Sequence, residues 1–180
     1  MYAFTQHRPA TVRQAASLLA KEEEAKLLAG GHTLIPTMKL RLAGPKHIVD
    51  LSKVEGLKGI EMTGRSLIIG AMTPHVEVAT SAVVKEQIPA LADLAGKIGD
   101  PAVRHRGTIG GSIANNDPNA DYPAGVPHVA EAFSTASSLE RKDIRITGFG
   151  NRVQEYASTV VSLSSLFADP AAAMRRASAV

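Results

Sequence analysis

Ala29-Gly30-Gly31-His32-Thr33-Leu34-Ile35-Pro36 and Arg106-Gly107-Thr108-Ile109-Gly110-Gly111-Ser112-Ile113 are the two stretches on which the reading of this chain turns. In the first, the short apolar run Ala25 to Leu28 predicts a strand that ends in two glycines and enters a helix with Pro36 in its first turn. Such a passage leaves backbone N–H groups free and unshielded by Cβ atoms, and concave arrays of that kind attract anionic oxygens. Thr33 adds a hydroxyl at the same place. The second stretch repeats the formula: hydroxyl, apolar residue, two glycines, hydroxyl, in Thr108, Ile109, Gly110, Gly111 and Ser112. Taken singly, a glycine pair is more often a tight turn where only glycine tolerates positive φ than a ligand site. Taken together they suit a diphosphate, which has two phosphoryl groups to neutralise. Neither is a phosphate loop ending in Gly-Lys-Ser/Thr, and neither fits the G-x-G-x-x-G dinucleotide fingerprint.

Working outward, Thr11 is placed to cap a helix whose apolar face is Val12, Ala15, Ala16 and Leu19. Glu22, Glu23 and Glu24 oppose the helix dipole, so the helix is expected to stop there and present them as a solvated face. Gly44-Pro45 should end the second helix, and His47 to Leu51 reads as a buried strand. Thr63-Gly64-Arg65 reads as a turn joining Gly59–Met62 to Ser66–Ile69 in a β-hairpin. Thr73-Pro74 starts a helix with Val76 and Ala79 facing inward. Another helix runs from Ala90 to Ile98 and is broken by Gly99-Asp100-Pro101. The result is an α+β chain with a small βαβ-like lobe over residues 1–52 and a second mixed lobe over 58–125. Asn115 to Pro123 is either a solvated loop of Asx turns or a set of amides and carboxylates facing a ribose or ribityl chain. Residues 126–180 change character, with eight serines against five in residues 1–125. Within them 134–138 read as poorly ordered and only Val160 to Phe167 as a short buried element.

Composition narrows the function classes. A net charge of +3 with scattered Lys and Arg gives no concentrated basic face for nucleic acid. The absence of cysteine rules out disulfides, an iron–sulfur cluster and a thiolate nucleophile on this chain, so any redox chemistry needs another cofactor. No stretch approaches the ~20 apolar residues of a membrane span. The N-terminus lacks the charged and apolar regions of a signal peptide, so a cytoplasmic location is expected.

The stretch Ile98 to Ser112, read with Ala29 to Thr33, resembles the FAD-binding medium subunit of the aerobic carbon monoxide dehydrogenase and xanthine dehydrogenase (molybdenum hydroxylase) family. Ile69-Gly70-Ala71-Met72-Thr73 and Asp117-Pro118-Asn119-Ala120-Asp121 are similar to that family's text as well. The likeness runs over roughly residues 1–125. It implies a two-lobed FAD-binding domain of the vanillyl-alcohol-oxidase (PCMH) type, with FAD bound non-covalently. It further implies pyrophosphate contacts from Ala29, Gly30, Gly31, His32 and Thr33, and from Thr108, Ile109, Gly110, Gly111 and Ser112. Asp121 would meet adenosine or ribityl hydroxyls, and Thr73 would lie near the flavin. The implied partners are a molybdopterin-binding large subunit and an iron–sulfur small subunit, with electrons leaving to an outside acceptor. Beyond residue 125 the resemblance is not traced, so residues 126–180 are expected to be a divergent or frameshifted tail lacking the family's C-terminal domain.

Other residues point elsewhere less strongly. Arg104 and Arg106 flank the second stretch and either favour a diphosphate or sit on a partner-facing surface. His7, His47, His75, His105 and His128 show no metal-ligand spacing and are expected to be exposed or hydrogen-bonded. Two other functions compete: a flavin-free remnant that only docks to partners, and a stand-alone flavin reductase like the enolpyruvyl-glucosamine reductase of cell-wall synthesis. The latter needs a catalytic acid on a further substrate domain.

Overall fold

A computed structural model of the chain describes residues 1–64, 66–115, 117 and 119–122, together with the backbone of residues 143–147. The chain opens with β1 (Thr5–His7), α1 (Val12–Lys21), β2 (Ala25–Leu28), α2 (Leu34–Lys39) and β3 (His47–Asp50). The three strands form one parallel sheet in the order β1-β3-β2, with Thr5 and Ala25 both opposite His47. Parallel neighbours require crossovers, and α1 and α2 supply them. Thr11 caps α1 through a capping box, its hydroxyl accepting from Gln14 N while Gln14 reaches back to the Thr11 N–H.

Ala15 is the buried residue of α1 and packs with Val49, Leu51, Val54 and Leu57, with Leu18 and Leu19 at the margin; Val12, expected on the inner face, is exposed. Glu22 is also not merely solvated, since its carboxylate lies 3.6 Å from His47 Nε2. The helix α2 ends at Lys39, well before Gly44-Pro45. There Leu42 N donates to Thr37 O and Arg41 N to Met38 O, with Arg41 at φ +61, so the chain turns off in a left-handed C-terminal cap. At the end of β3, buried Asp50 accepts from Gln6 Nε2 at 2.9 Å, Arg8 Nε at 3.2 Å and Ser52 N at 2.9 Å, tying β1 to the sheet centre. Burial raises the Asp50 carboxyl's pKa, but the Ser52 hydrogen bonds and the Arg8 charge outweigh it and hold the group below the ordinary carboxylate value.

The second half begins with the expected hairpin, β4 (Ile60–Thr63) and β5 (Ser66–Gly70), antiparallel with Ile60 opposite Ile69. Then come α3 (His75–Thr80), α4 (Ala82–Gln87), α5 (Pro89–Lys97), α6 (Pro101–Arg106) and α7 (Ile109–Asn115). The helices α4 and α6 were not expected. Each is six residues long, too short for periodicity to stand out, and each is started by a side-chain cap, Ser81 on Val84 N and Asp100 on Ala102 N. The inward positions of α3 are His75 and Val78, one residue away from the expected Val76 and Ala79. Leu67 and Ile69 of β5 form the core with Val78, Val84, Ile88, Leu91, Ala95 and Ile109.

The strand β6 (Asp143–Thr147) extends this sheet to the order β4-β5-β6, parallel to β5 and in register from Ser66–Asp143 to Gly70–Thr147. No strand was expected there. Residues 134–138, 160–167 and His128, singled out from the sequence, lie outside the described residues. Among the described residues no helix is long and apolar enough to cross a membrane.

Candidate functional site

The β2–α2 passage is the first wall of the site. No described residue is hydrogen-bonded to the backbone N–H of Gly30, Gly31, His32 or Thr33. Thr33 stands at the start of α2, yet its hydroxyl caps nothing. Gly31 sits at φ +78, where a side chain would be strained, and a Cβ there would lie 2.7 Å from Ile35 Cδ1. Gly30 is glycine for another reason: a Cβ there would lie 2.1 Å from Arg106 O and 2.7 Å from Gly107 Cα. The first glycine segment is thus pressed directly against the second.

The second segment is built differently. Ile109 N donates to Thr73 O, Gly110 N to Ala71 O, Gly111 N to Thr108 Oγ1 and Ser112 N to Thr108 O. None of these four amides, expected to be free, is available: those of Ile109 and Gly110 dock α7 onto the β5–α3 connection, and those of Gly111 and Ser112 are taken by Thr108 at the start of α7. Gly110 points inward, a Cβ there falling 2.4 Å from Ala71 Cβ, and Ile109 is fully buried. Thr73 is buried too, and its hydroxyl exchanges 3.0 Å contacts with Gly59 N and O. It holds the β4 start to the base of α7 and does not line the cleft. Thr108, Gly111 and Ser112 do face the first segment, and Gly111 lies so close that a Cβ would approach Ala29 Cβ to 3.3 Å.

Between the segments lies a cleft of about 500 Å³. Nine of the twelve sequence-derived site residues line it: Ala29, Gly30, Gly31, His32, Thr33, Thr108, Gly111, Ser112 and Asp121; Thr73, Ile109 and Gly110 do not. Asn115, Asp117 and Ala120 close one end. Asp117 also forms the Asx turn of the alternative reading, accepting from Asn119 N at 2.9 Å. Arg104 is diverted from the cleft, its guanidinium donating to the carbonyls of Ile98 and Gly99.

His75 also lines the cleft, a role not expected of it. It is 4% exposed, its backbone N–H donates to Gly107 O, and its ring packs on Tyr122 at 5.2 Å between centroids. Contrary to expectation it is neither exposed nor hydrogen-bonded through Nδ1, which is buried without a partner among the described residues. Burial pulls its pKa down to about 4, against an opposing pull from the Asp121 charge and with added repulsion from His32. Burial and then Asp121 push the Tyr122 hydroxyl's pKa up. A single histidine after a proline carries no pattern that distinguishes it from a surface residue.

Residues 2–162 match the family described as the FAD binding domain in molybdopterin dehydrogenase, so the match continues past residue 125 and over β6. The carbon monoxide dehydrogenase medium chain of Hydrogenophaga pseudoflava is 42% identical over 147 residues, covering 81% of this chain and 51% of that one. The medium chain from Afipia carboxidovorans is 45% identical over 122 residues, covering 67% and 42%. In the solved carbon monoxide dehydrogenase from H. pseudoflava lacking the Mo-pyranopterin moiety, the matching chain superposes with a TM-score of 0.66 at 47% identity, over 68% of this chain and 43% of that one. The chain therefore spans about half the length of the relatives it matches, or less.

Proposed function

The chain belongs to the family of FAD-binding domains of molybdopterin dehydrogenases, and from that premise we propose that it is the flavin-carrying, electron-transferring part of a carbon monoxide dehydrogenase-like molybdenum hydroxylase. FAD is the cofactor of this family. The residues present fit it. Four consecutive amides at Gly30 to Thr33, engaged by no described residue, are donors of the kind a pyrophosphate needs, and their residues line a cleft of about 500 Å³, within the usual size of a cofactor site. That run of amides is the observation that carries the reading.

In this proposal Gly30, Gly31, His32 and Thr33 donate to the pyrophosphate, and the Thr33, Thr108 and Ser112 hydroxyls complete its hydrogen bonds. Ala29 and Gly111 form the floor. Asp121, a carboxylate and therefore an acceptor, takes hydroxyl protons of the ribose or ribityl chain. Thr73, Ile109 and Gly110 support the site through the backbone pairs that hold α7. When bound, FAD supplies the redox chemistry, so no acid or base of this chain is required. The fold is assigned to the PCMH type of FAD-binding domain. The proposed partners are a molybdopterin-binding large subunit and an iron–sulfur small subunit, and the proposed location is the cytoplasm.

Purified protein should be yellow, or should quench FAD fluorescence saturably when titrated with it. Protein that stays colourless after refolding in excess FAD, with no quenching, overturns the reading. Co-expression with molybdopterin and iron–sulfur subunits should yield one co-eluting complex, and separate elution would remove the partner assignment alone.

A further inference from the structure

His75 is a polar group in the cofactor cleft with one nitrogen lacking a partner. Its Nδ1 is sealed from solvent and meets no hydrogen-bonding group among the described residues, and the Tyr122 hydroxyl beside it is in the same condition. A neutral imidazole carries one N–H and one bare lone pair. A buried N–H without an acceptor is rarer in folded proteins than a buried acceptor without a donor. The proton therefore belongs on Nε2, and Nδ1 is left as the bare acceptor. The Nε2 edge is the one that abuts Gly107, where a Cβ would lie 2.7 Å from that nitrogen. Gly107 is also the residue pressed against Gly30, so Nε2–H stands where the two glycine segments meet.

We propose that His75 is a further cofactor-binding residue, donating from Nε2–H as a neutral imidazole to the anionic portion of the bound dinucleotide. The inference rests on the reading of the cleft as an FAD site. Three features hold the ring for this role. The Pro74–Thr108 bridge and the His75 N–H to Gly107 O bond fix the backbone, and Tyr122 packs across one face. The charged groups acting on the ring are Asp121 and His32; Glu77 on the same helix is engaged with Lys58 at 2.7 Å. Burial keeps the imidazole neutral at ordinary pH, so the contact is a directed hydrogen bond and not an ion pair.

The test compares His75→Leu with His75→Gln, titrating each with FAD and following flavin fluorescence. Gln carries an amide N–H near the position of Nε2, whereas Leu fills similar space with no donor. Leu is expected to weaken FAD binding on the order of 10- to 100-fold and Gln to restore affinity to within a few-fold of wild type, as a hydrogen bond to a charged group predicts. Wild-type affinity in the Leu variant, while the parent binds FAD, overturns this inference and leaves the FAD assignment standing. If the parent binds no FAD, both fall. Should the Leu variant not fold, the parent decides alone. Its ¹⁵N–¹H spectrum should show His75 protonated on Nε2, with that resonance shifting as FAD is added. A proton on Nδ1, or a resonance that FAD leaves unmoved, overturns the proposal.

Discussion

The two glycine segments read alike along the chain, yet they hold their amides in opposite ways. Among the described residues Gly30 to Thr33 keep theirs free beside the cleft, while Ile109 to Ser112 have already used theirs on Thr73 O, Ala71 O and Thr108. One segment is an open donor array; the other is a foundation that brings hydroxyls and a floor to it. The difference lies in what each follows. The first emerges from β2 into α2, and no described residue accepts from its N–H groups. The second lies across the β5–α3 connection, where free carbonyls wait. A glycine pair thus permits close approach, and its surroundings decide whether the thing approached is a ligand or the protein's own backbone.

Gly30→Ala tests this contrast most severely. Its Cβ would fall 2.1 Å from Arg106 O, a backbone atom that cannot swing aside, so the segments must separate. The expected loss is about 3 kcal/mol or more in stability, at the upper end for overpacking, with FAD binding lost in a fluorescence titration. Near-parental binding would mean that the segments need not touch.

Acid should act next, through the second wall. His75 stays neutral in the fold down to about pH 4, whereas the unfolded chain takes up its proton below about pH 6.5. The unfolded state then binds more protons, so stability is full above pH 6.5 and falls as pH drops toward 4, by up to about 3 kcal/mol. Urea midpoints measured across that window check the sign, and His75→Gln should flatten the dependence.

Thr73→Val sharpens the division of labour between the segments. It removes the hydroxyl that bridges Gly59 and should lower stability by about 1–2 kcal/mol while leaving the FAD affinity of the folded fraction within a few-fold of the parent. A large loss of affinity at unchanged melting temperature would return Thr73 to the binding set. The smallest effect is expected away from both segments. Thr11→Ala removes the capping box of α1 and should cost about 1 kcal/mol by thermal melt, without touching FAD affinity.

Much of this site was legible because local rules act over a few residues. Thr11 before the spaced apolar residues Val12, Ala15, Ala16 and Leu19 announces a helix start, Thr63-Gly64 a hairpin, and Ala25 to Gly31 a strand opening into a turn. Those rules suffice for the strand and turn of the first segment, since no described residue competes for its amides. They fail where a six-residue helix such as α4 or α6 is held by one cap and by its neighbours, and at α3, where His75 takes an inward position that alternation of apolar residues would give to Val76. They also miss β6, whose five residues become a strand by pairing with β5, 77 positions earlier in the chain, Ser66 with Asp143.

By itself the amino-acid sequence settles the inventory: two glycine segments with hydroxyls, no cysteine, and the text of an FAD-binding family. Only the tertiary structure decides which amides stay free, because a backbone N–H is the same donor everywhere and its availability depends on what is brought within about 3 Å of it. The same holds for His75. Its chemistry comes with the residue, but its neutrality and its place beside Gly107 come from burial under Tyr122, which no short stretch of chain encodes.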